Sequence, residues 1–463
     1  MNSVIPSKTY SYLNVVPYNT LFNWGASSIL GNHLKYKSGL QLVRIGKLIE
    51  KNQNRVNIKN DLFYRRVTIK LYGKGVIKRD EVKGKEIGTK RQSIISEGQF
   101  IMSKIDARNG AFGIVSKELE GAIVTPDFLS YDINKKIVIP EFFLLLTNTT
   151  QFHDLCQNSS SGTTGRQRID ESSFLNFQVP VPSFTEQRKL VSKYKNKEDL
   201  AKKQINEAAK IAKEIDQYIL SNLGLVINKT HYKTKQIHYA EFTNITSWGI
   251  DKILNSLSFK SLKFPTATLE SNPVLYKNIF RGKSPKYDKN GKGRILNQKC
   301  NRWNFIEMEY ARTVNDNWLK SIEKDFLTKE NDIIINSTGE GTIGRSSLIT
   351  KPLEGLLYDS HLLLLRLDIE KVNPSFLVIL INHTYGQSQI ESLKSAKSTK
   401  QTELGVQNLM KVLFPLPPKK KQDSIVKFIA TKKNEADQLL KKSEINQQSA
   451  ILEFEKQIFE YPF

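Results

Sequence analysis

Apolar residues recur at helical spacing in two long polar segments of this chain, and in strand-like alternation in the shorter segments between them. In the first long segment Val191, Tyr194, Glu198, Ala201, Ile205, Ala208, Ala212, Ile215 and Ile219 keep a three-four spacing. That is a coiled-coil seam with one glutamate in it. About 40 residues at ~1.5 Å each predict a rod of ~60 Å. The second segment is rougher: Val426, Ile429, Ala436, Leu440, Ala450 and Phe454 fit the register, while Lys433, Ser443 and Gln447 interrupt it. Neither stripe is wide enough to stand alone, so the two helices are expected to pack on each other, antiparallel if a two-fold axis relates them.

Each long segment follows a Pro-x-Pro stop and a glutamine. Val179-Pro180-Val181-Pro182 precedes Gln187, and Phe414-Pro415-Leu416-Pro417 precedes Gln422. The match extends into a repeat, the most informative pattern a sequence can carry about architecture. Trp24-Gly25 with Ile29-Leu30 returns as Trp248-Gly249 with Ile253-Leu254, and Tyr36-Lys37-Ser38 as Phe259-Lys260-Ser261. Strand-turn-strand blocks are expected over 98–116 and 331–350, and Glu120-Gly121 matches Glu354-Gly355. Helices open at Pro140 and Pro374, since proline is tolerated at the first helical position. In the first copy 42–49 reads as a short strand and helical turn, 63–71 as a strand, and the glycine- and lysine-rich stretch 73–91 as loops around a hairpin.

These patterns predict an α+β fold of two pseudo-repeated mixed α/β domains separated by two long antiparallel helices, a coiled-coil spacer. The expected divisions are 1–182 for an N-terminal segment and the first domain, 183–225 for the first helix, 226–243 for a basic linker, 244–417 for the second domain and 418–463 for the second helix.

Charge changes the picture most. Among 463 residues, 70 Lys and Arg stand against 46 Asp and Glu, a formal net charge of +24. Such an excess attracts polyanions, of which nucleic acid is the commonest. Cys156 and Cys300 are far apart, which argues against a disulfide framework and for a reducing, cytoplasmic setting. No apolar run approaches the ~18 residues of a membrane span, and the N-terminus does not read as a signal peptide.

Catalytic motifs are weak. Gly339-Glu-Gly341-Thr-Ile-Gly344 matches a dinucleotide fingerprint, but β-like residues follow it where a helix is needed, so it reads as a hairpin turn. Asn373-Pro374-Ser375-Phe376 lacks the second proline of an amino-methyltransferase loop. Glu81-Val82-Lys83 is an expected accident in a lysine-rich chain. The six histidines form no metal-ligand spacing. The chain is read as non-catalytic, with no cofactor or metal of its own.

Basic residues interleave with aromatics in two comparable places. The first comprises Tyr64, Arg65, Arg66, Lys74, Lys78, Arg79, Lys90 and Arg91; the second Arg281, Lys283, Lys286, Lys289, Lys292 and Arg294. Lys and Arg neutralise phosphates, and Arg also reads base edges. Loops at Thr163, Thr164, Arg166 and Gln167 and at Ser398, Thr399, Lys400 and Gln401 offer further donors to phosphate, with Lys104, Arg108 and Arg345 beside the central hairpins.

On the doubled Pro-x-Pro and glutamine stops, each followed by a long helix, and on the blocks 98–115 and 331–346, the chain resembles the specificity subunits of type I restriction–modification systems. Lys421 stands where Glu186 does, a departure from the doubled pattern. The resemblance implies two target-recognition domains, each reading half of a bipartite double-stranded DNA site, with the helices as a ruler. It implies two methyltransferase subunits that carry S-adenosylmethionine and the adenine chemistry, and translocase–endonuclease subunits that use ATP and Mg²⁺, as partners. A different reading of the same features is a coiled-coil adaptor that binds RNA or a protein through its basic loops.

Overall fold

The computed structural model describes residues 36–161, 168–229, 257–396 and 402–460. The Trp24 and Trp248 motifs, the loop positions 163–167 and 398–401, and the start of the second domain at 244 lie outside these residues. The chain forms two compact units. One takes in the chain up to Ile205 together with the segment from Leu440; the other runs Asn206–Leu439.

Each unit is built on a four-stranded antiparallel sheet with the same order. In the first unit the order is Ile49–Lys51, Phe128–Ile133, Phe100–Ser103, Phe112–Ile114; in the second it is Tyr276–Arg281, Leu362–Leu367, Ile333–Asn336, Ser346–Leu348. The strands are short, and the inner ones Phe100–Ser103, Ile333–Asn336 and Leu362–Leu367 are wholly buried. A pair of helices covers each sheet: Pro140–Thr147 and Thr150–Asn158 in one, Pro374–Asn382 and Thr384–Leu393 in the other. Both pairs open on a proline at the first turn, which fixes φ and removes an N–H that the helix would leave unpaired anyway. The cores differ in chemistry. The first is aromatic, with Phe100, Phe112, Phe143, Phe152 and Phe174 in edge and stacked contacts. The second is aliphatic, around Ile333, Ile335, Leu363, Leu365 and Leu377.

The long helices run Phe184–Leu223 and Lys419–Ile458. The first ends at Gly224, whose φ of 61° is the left-handed stop that glycine supplies at a helix C-terminus. A strand, Leu225–Lys229, follows and pairs antiparallel with Leu257–Ser261, so the segment expected as linker begins as sheet. In the first unit Lys37 N–H donates to Ile458 O, and Tyr36 forms an antiparallel bridge to Phe459 and stacks on it at 5.4 Å. Thus the end of each helix pairs with the beginning of a repeat.

Within each unit the helices pair antiparallel. In the first, Lys197 Nζ donates to Ser449 Oγ and pairs with Glu453, and Asn446 Nδ2 donates to Gln204 Oε1 at 3.0 Å. In the second, Tyr218 stacks on Phe428 at 3.8 Å, Lys421 Nζ reaches Asn222 Oδ1 at 3.0 Å, and Lys432 lies 3.7 Å from Glu214. Val191, Ala201, Ala208, Ile219, Ile429 and Phe454 are buried, and Tyr194, Ile215, Val426 and Ala436 partly so. Three seam positions are corrected. Ile205, Ala212 and Leu440 are exposed, and Gln204, Ile211 and Leu439 turn inward instead. The reason is phase: a three-residue step from Ala201 to Gln204 replaces the four-residue step to Ile205, and a polar Gln–Asn pair occupies that layer.

The two glutamines after the Pro-x-Pro stops are fully buried and bonded alike. Gln187 Oε1 accepts from Ile139 N–H at 2.8 Å, and its Nε2 donates to the carbonyls of Pro182 (2.8 Å) and Ile137 (3.3 Å). Gln422 Oε1 accepts from Asn373 N–H at 2.8 Å, and its Nε2 donates to Pro417 O (2.9 Å) and Lys371 O (3.2 Å). Each amide therefore joins three elements: the long helix, the proline stop before it and the entry to the proline-started helix. Replacing either by alanine leaves buried backbone groups unpaired, at about 1–3 kcal/mol for such a group. Gln187→Ala and Gln422→Ala should each lower the chemical-denaturation midpoint of the full chain, and Gln204→Ala, in the half-exposed seam, should lower it less.

Candidate nucleic-acid interface

Most of the candidate residues gather around a second sheet in each unit, while Lys104, Arg108, Arg281 and Arg345 lie on or beside the four-stranded sheets. In the first unit it has five strands: Arg55–Asn57, Arg91–Ile94, Ile123–Val124, Phe63–Ile69 and Val76–Lys83. In the second it has three: Arg312–Val314, Gly293–Leu296 and Leu357–Tyr358. The central strand of the trio, Gly293–Leu296, runs antiparallel to one neighbour and parallel to the other. Phe63–Ile69 does the same between Val76–Lys83 and Ile123–Val124. A common three-stranded plan is therefore extended at one edge in the first unit only.

The 63–83 hairpin carries Tyr64, Arg65, Arg66, Lys78 and Arg79, with Lys74 exposed in its turn. Most of these groups already have protein partners. Tyr64 Oη accepts from Lys59 N–H at 3.0 Å. Arg65 donates to Glu118 O. Arg66 makes a two-pronged bond to Asp80, both arms at 2.7 Å, which holds the Asp80 carboxyl below its ordinary range. Lys78 pairs with Glu81 at 2.8 Å, and Arg79 lies 3.5 Å from Asp80. Lys90 ties down the chain by donating to Asn60 Oδ1 and Gly84 O, and Arg91 is exposed on its strand. Lys104 is half-buried and 3.9 Å from Glu171, and Arg108 is half-buried in the turn after its strand.

The second unit presents its cations differently. Lys286, Lys289, Lys292 and Arg294 are exposed on the chain leading into and along Gly293–Leu296. Lys283 Nζ lies 4.4 Å from the Phe326 ring centroid. Arg281 pairs with Glu403 and donates to Ser360 O. The glycine-rich match at 339–344 is a turn between antiparallel strands, with Gly339, Gly341 and Gly344 all at positive φ. It lines a polar cavity of about 500 Å³ with Gln298, Thr338, His361, Gln387 and Lys394. The helix that a dinucleotide cradle needs is not there, because Ser346–Leu348 is a strand. Sequence reading overlooked Arg302, Trp303 and Phe305, which sit beyond the basic run in the turn 300–307, with Arg302 half-buried and both rings exposed, and Arg312, exposed at the start of the strand Arg312–Val314.

Among the described residues no cluster of three or more His, Cys, Asp or Glu could hold a metal, and no helix is long and apolar enough to cross a membrane. Cys156 and Cys300 are buried thiols, and burial raises the pKa of both.

Two units with one strand order, each anchored on a long helix and each extended by a basic second sheet, define a doubled α/β recognition protein. The family described as type I restriction modification DNA specificity domain matches residues 37–210 and 287–448, more than half of the chain, and the chain belongs to it. It is 29% identical over 99 residues to the type I restriction enzyme HindI specificity subunit of Haemophilus influenzae, an alignment covering 21% of this chain and 22% of that protein. A chain from a solved structure described as the basis of complex assembly and conformational transition of the type I R-M system shares the fold. It has a TM-score of 0.56 and 15% identity over 91% of this chain and 99% of its own. The HsdS subunit of Thermoanaerobacter tengcongensis is 14% identical over 91% of this chain and 96% of that one, with a TM-score of 0.46.

If the free lysines of the second unit neutralise phosphates, each accounts for about 0.9 in the slope of log affinity against log salt. Replacing Lys286, Lys289 and Lys292 together by alanine should flatten that slope for duplex DNA. Arg66→Ala, whose charge Asp80 already offsets, should leave it nearly unchanged.

Proposed function

We propose that the chain reads a bipartite duplex DNA site, one half with each α/β domain, for methyltransferase and translocase–endonuclease subunits that carry the chemistry. The observation that carries this reading is the duplicated anchor. Gln187 and Gln422 fix each domain to the start of its own long helix through the same three contacts. Two like readers attached alike to antiparallel rods suit a site of two halves with a spacer of fixed length. Most of the candidate contacts lie on or beside the second sheets, which differ in strand number, as suits two readers of different half-sites; Lys104, Arg108, Arg281 and Arg345 lie on or beside the four-stranded sheets. The basic residues named above, with the loops at 163–167 and 398–401, are the proposed contacts, and the divisions 1–182, 183–225, 226–243, 244–417 and 418–463 are the proposed working parts.

The helix pair is the proposed ruler and dock. Two identical methyltransferases bind a pseudo-two-fold scaffold equivalently. The first unit's helices leave Leu200, Ile205, Leu440, Ile445 and Leu452 between 41% and 62% exposed, more apolar surface than a solvated helix needs. That surface suits partner helices. Changing Leu200 and Leu452 together to glutamate should weaken co-purification with the methyltransferase by at least tenfold while leaving thermal melting of the chain unchanged.

The ruler is tested by removing one heptad, residues 202–208 and 439–445, from both helices, which preserves the seam. The rod shortens by ~10 Å, or about three base pairs at ~3.4 Å each. The methylated motif should keep both half-sites and lose about three positions of spacer. An unchanged spacer in an assembled, active complex would sink the ruler. Exchanging residues 244–417 for another recognition domain should alter one half-site alone.

A further inference from the structure

Three arginines of the second unit lie over exposed aromatic rings. Arg312 Cζ is 3.5 Å from the centroid of Tyr287, Arg302 Cζ 4.8 Å from Tyr310, and Arg345 Cζ 5.4 Å from Trp303. Stacking of this kind holds a guanidinium flat and leaves its N–H edge free to bond elsewhere. Arg302 has already spent that edge, since its Nε donates to Glu307 at 2.7 Å. Arg312 and Arg345 have no carboxylate within ion-pair distance among the described residues.

The two free arginines differ in setting. Arg312 is exposed and opens the strand Arg312–Val314, while Tyr287 bridges Val314 at the other end of that strand. Strand geometry therefore holds both members of the stack. Arg345 is half-buried, its Nε is buried without a hydrogen-bond partner, and burial and Arg302 lower its pKa. A desolvated cation of this kind is costly until a negative charge reaches it. Its partner ring is rigidly displayed. Asn301, fully buried, donates through Nδ2 to Arg345 O and Asn336 Oδ1, and Ser347 Oγ donates to the carbonyls on either side of the Trp303 turn. The surroundings are cationic: residues 281–312 hold nine Lys and Arg against three Asp and Glu.

Resting on the DNA-reading role proposed above, we propose that Arg312 and Arg345 are the second domain's preorganised contacts to duplex DNA. Arg312, flat on Tyr287, donates to the O6 and N7 acceptors of a guanine and determines specificity at that position. Arg345, which has no counter-ion among the described residues, takes a backbone phosphate and contributes affinity without specificity. Tyr287 is a positioning residue for Arg312.

The test uses the full chain assembled with its methyltransferase subunits, and reads the methylated motif together with affinity for a duplex bearing the wild-type motif at several salt concentrations. Arg312→Ala should relax the requirement for one G·C pair in one half-site and weaken binding to the wild-type site roughly five- to hundredfold. Arg312→Lys keeps the charge but cannot grip both acceptors, so it should relax the same position. Tyr287→Phe should behave as wild type, and Tyr287→Ala should follow Arg312→Ala at unchanged melting temperature. Arg345→Ala should leave the motif intact, weaken all sequences alike and lower the salt slope by about 0.9. The inference is overturned if the arginine variants melt and assemble like wild type yet keep motif, affinity and slope. It is overturned equally if they lose the methyltransferase while DNA binding stands, which would make this a protein-docking surface. Both failures leave a specific wild-type motif in place; the absence of any such motif would overturn the DNA-reading role itself.

Discussion

A buried amide at the start of each long helix is the constraint on which the rest of the fold depends. A glutamine side chain removed from water must satisfy both its oxygen and its nitrogen, or it costs more than it contributes. Gln187 and Gln422 do so with backbone groups alone, and those groups belong to segments 48 to 51 residues away or to the proline stop immediately before. The amide is thus a three-way joint. It fixes where the helix leaves the domain, how the Pro-x-Pro strand enters it and where the proline-started helix begins. Because the proline stops pair with early strands of their domains, Leu42–Arg44 and Thr266–Ala267, the joint also ties the last strand of each domain back to its beginning.

The scaffold and the candidate reading surface obey different rules. In the four-stranded sheets, strand order and helix cover are kept while the side chains filling the core change from aromatic to aliphatic. Packing tolerates such exchange when total volume and pattern are retained. In the second sheets, strand number, charge pairing and turn structure all differ. The first unit couples its hairpin arginines to Asp80 and Glu118, whereas the second leaves cations exposed or laid over aromatic rings. Family membership accounts for the shared part, and the unlike surfaces are where two half-sites would be told apart.

Much of this architecture was legible in the sequence. Proline at 140 and 374, glutamine at 187 and 422, and the glycine turns at 121 and 355 are local signals, and each repeats at a nearly constant interval, so two weak patterns reinforce each other. The helix seam was legible in period but not in phase. Isoleucine at 205 and alanine at 212 look more apolar than Gln204, yet a hydrogen bond from Asn446 lets the glutamine occupy the interface. Polar partners from a distant segment are invisible to periodicity. The second sheets were hidden because their pairings are long-range: Ile123–Val124 follows the 98–116 block in sequence but joins Phe63–Ile69 in parallel. Arg312 over Tyr287 and Arg345 over Trp303 are likewise long-range pairings, and a list of basic residues does not reveal which of them a neighbouring carboxylate has already neutralised.

The account turns on one chain carrying two independent readers. The most direct measurement is methylation mapping of DNA from cells that make this chain with its methyltransferase subunits. The account predicts a single motif of two short specific halves separated by a fixed number of unspecified base pairs, with a modified adenine in each half. A continuous motif, a spacer of variable length, or a motif specified by one half only would contradict it.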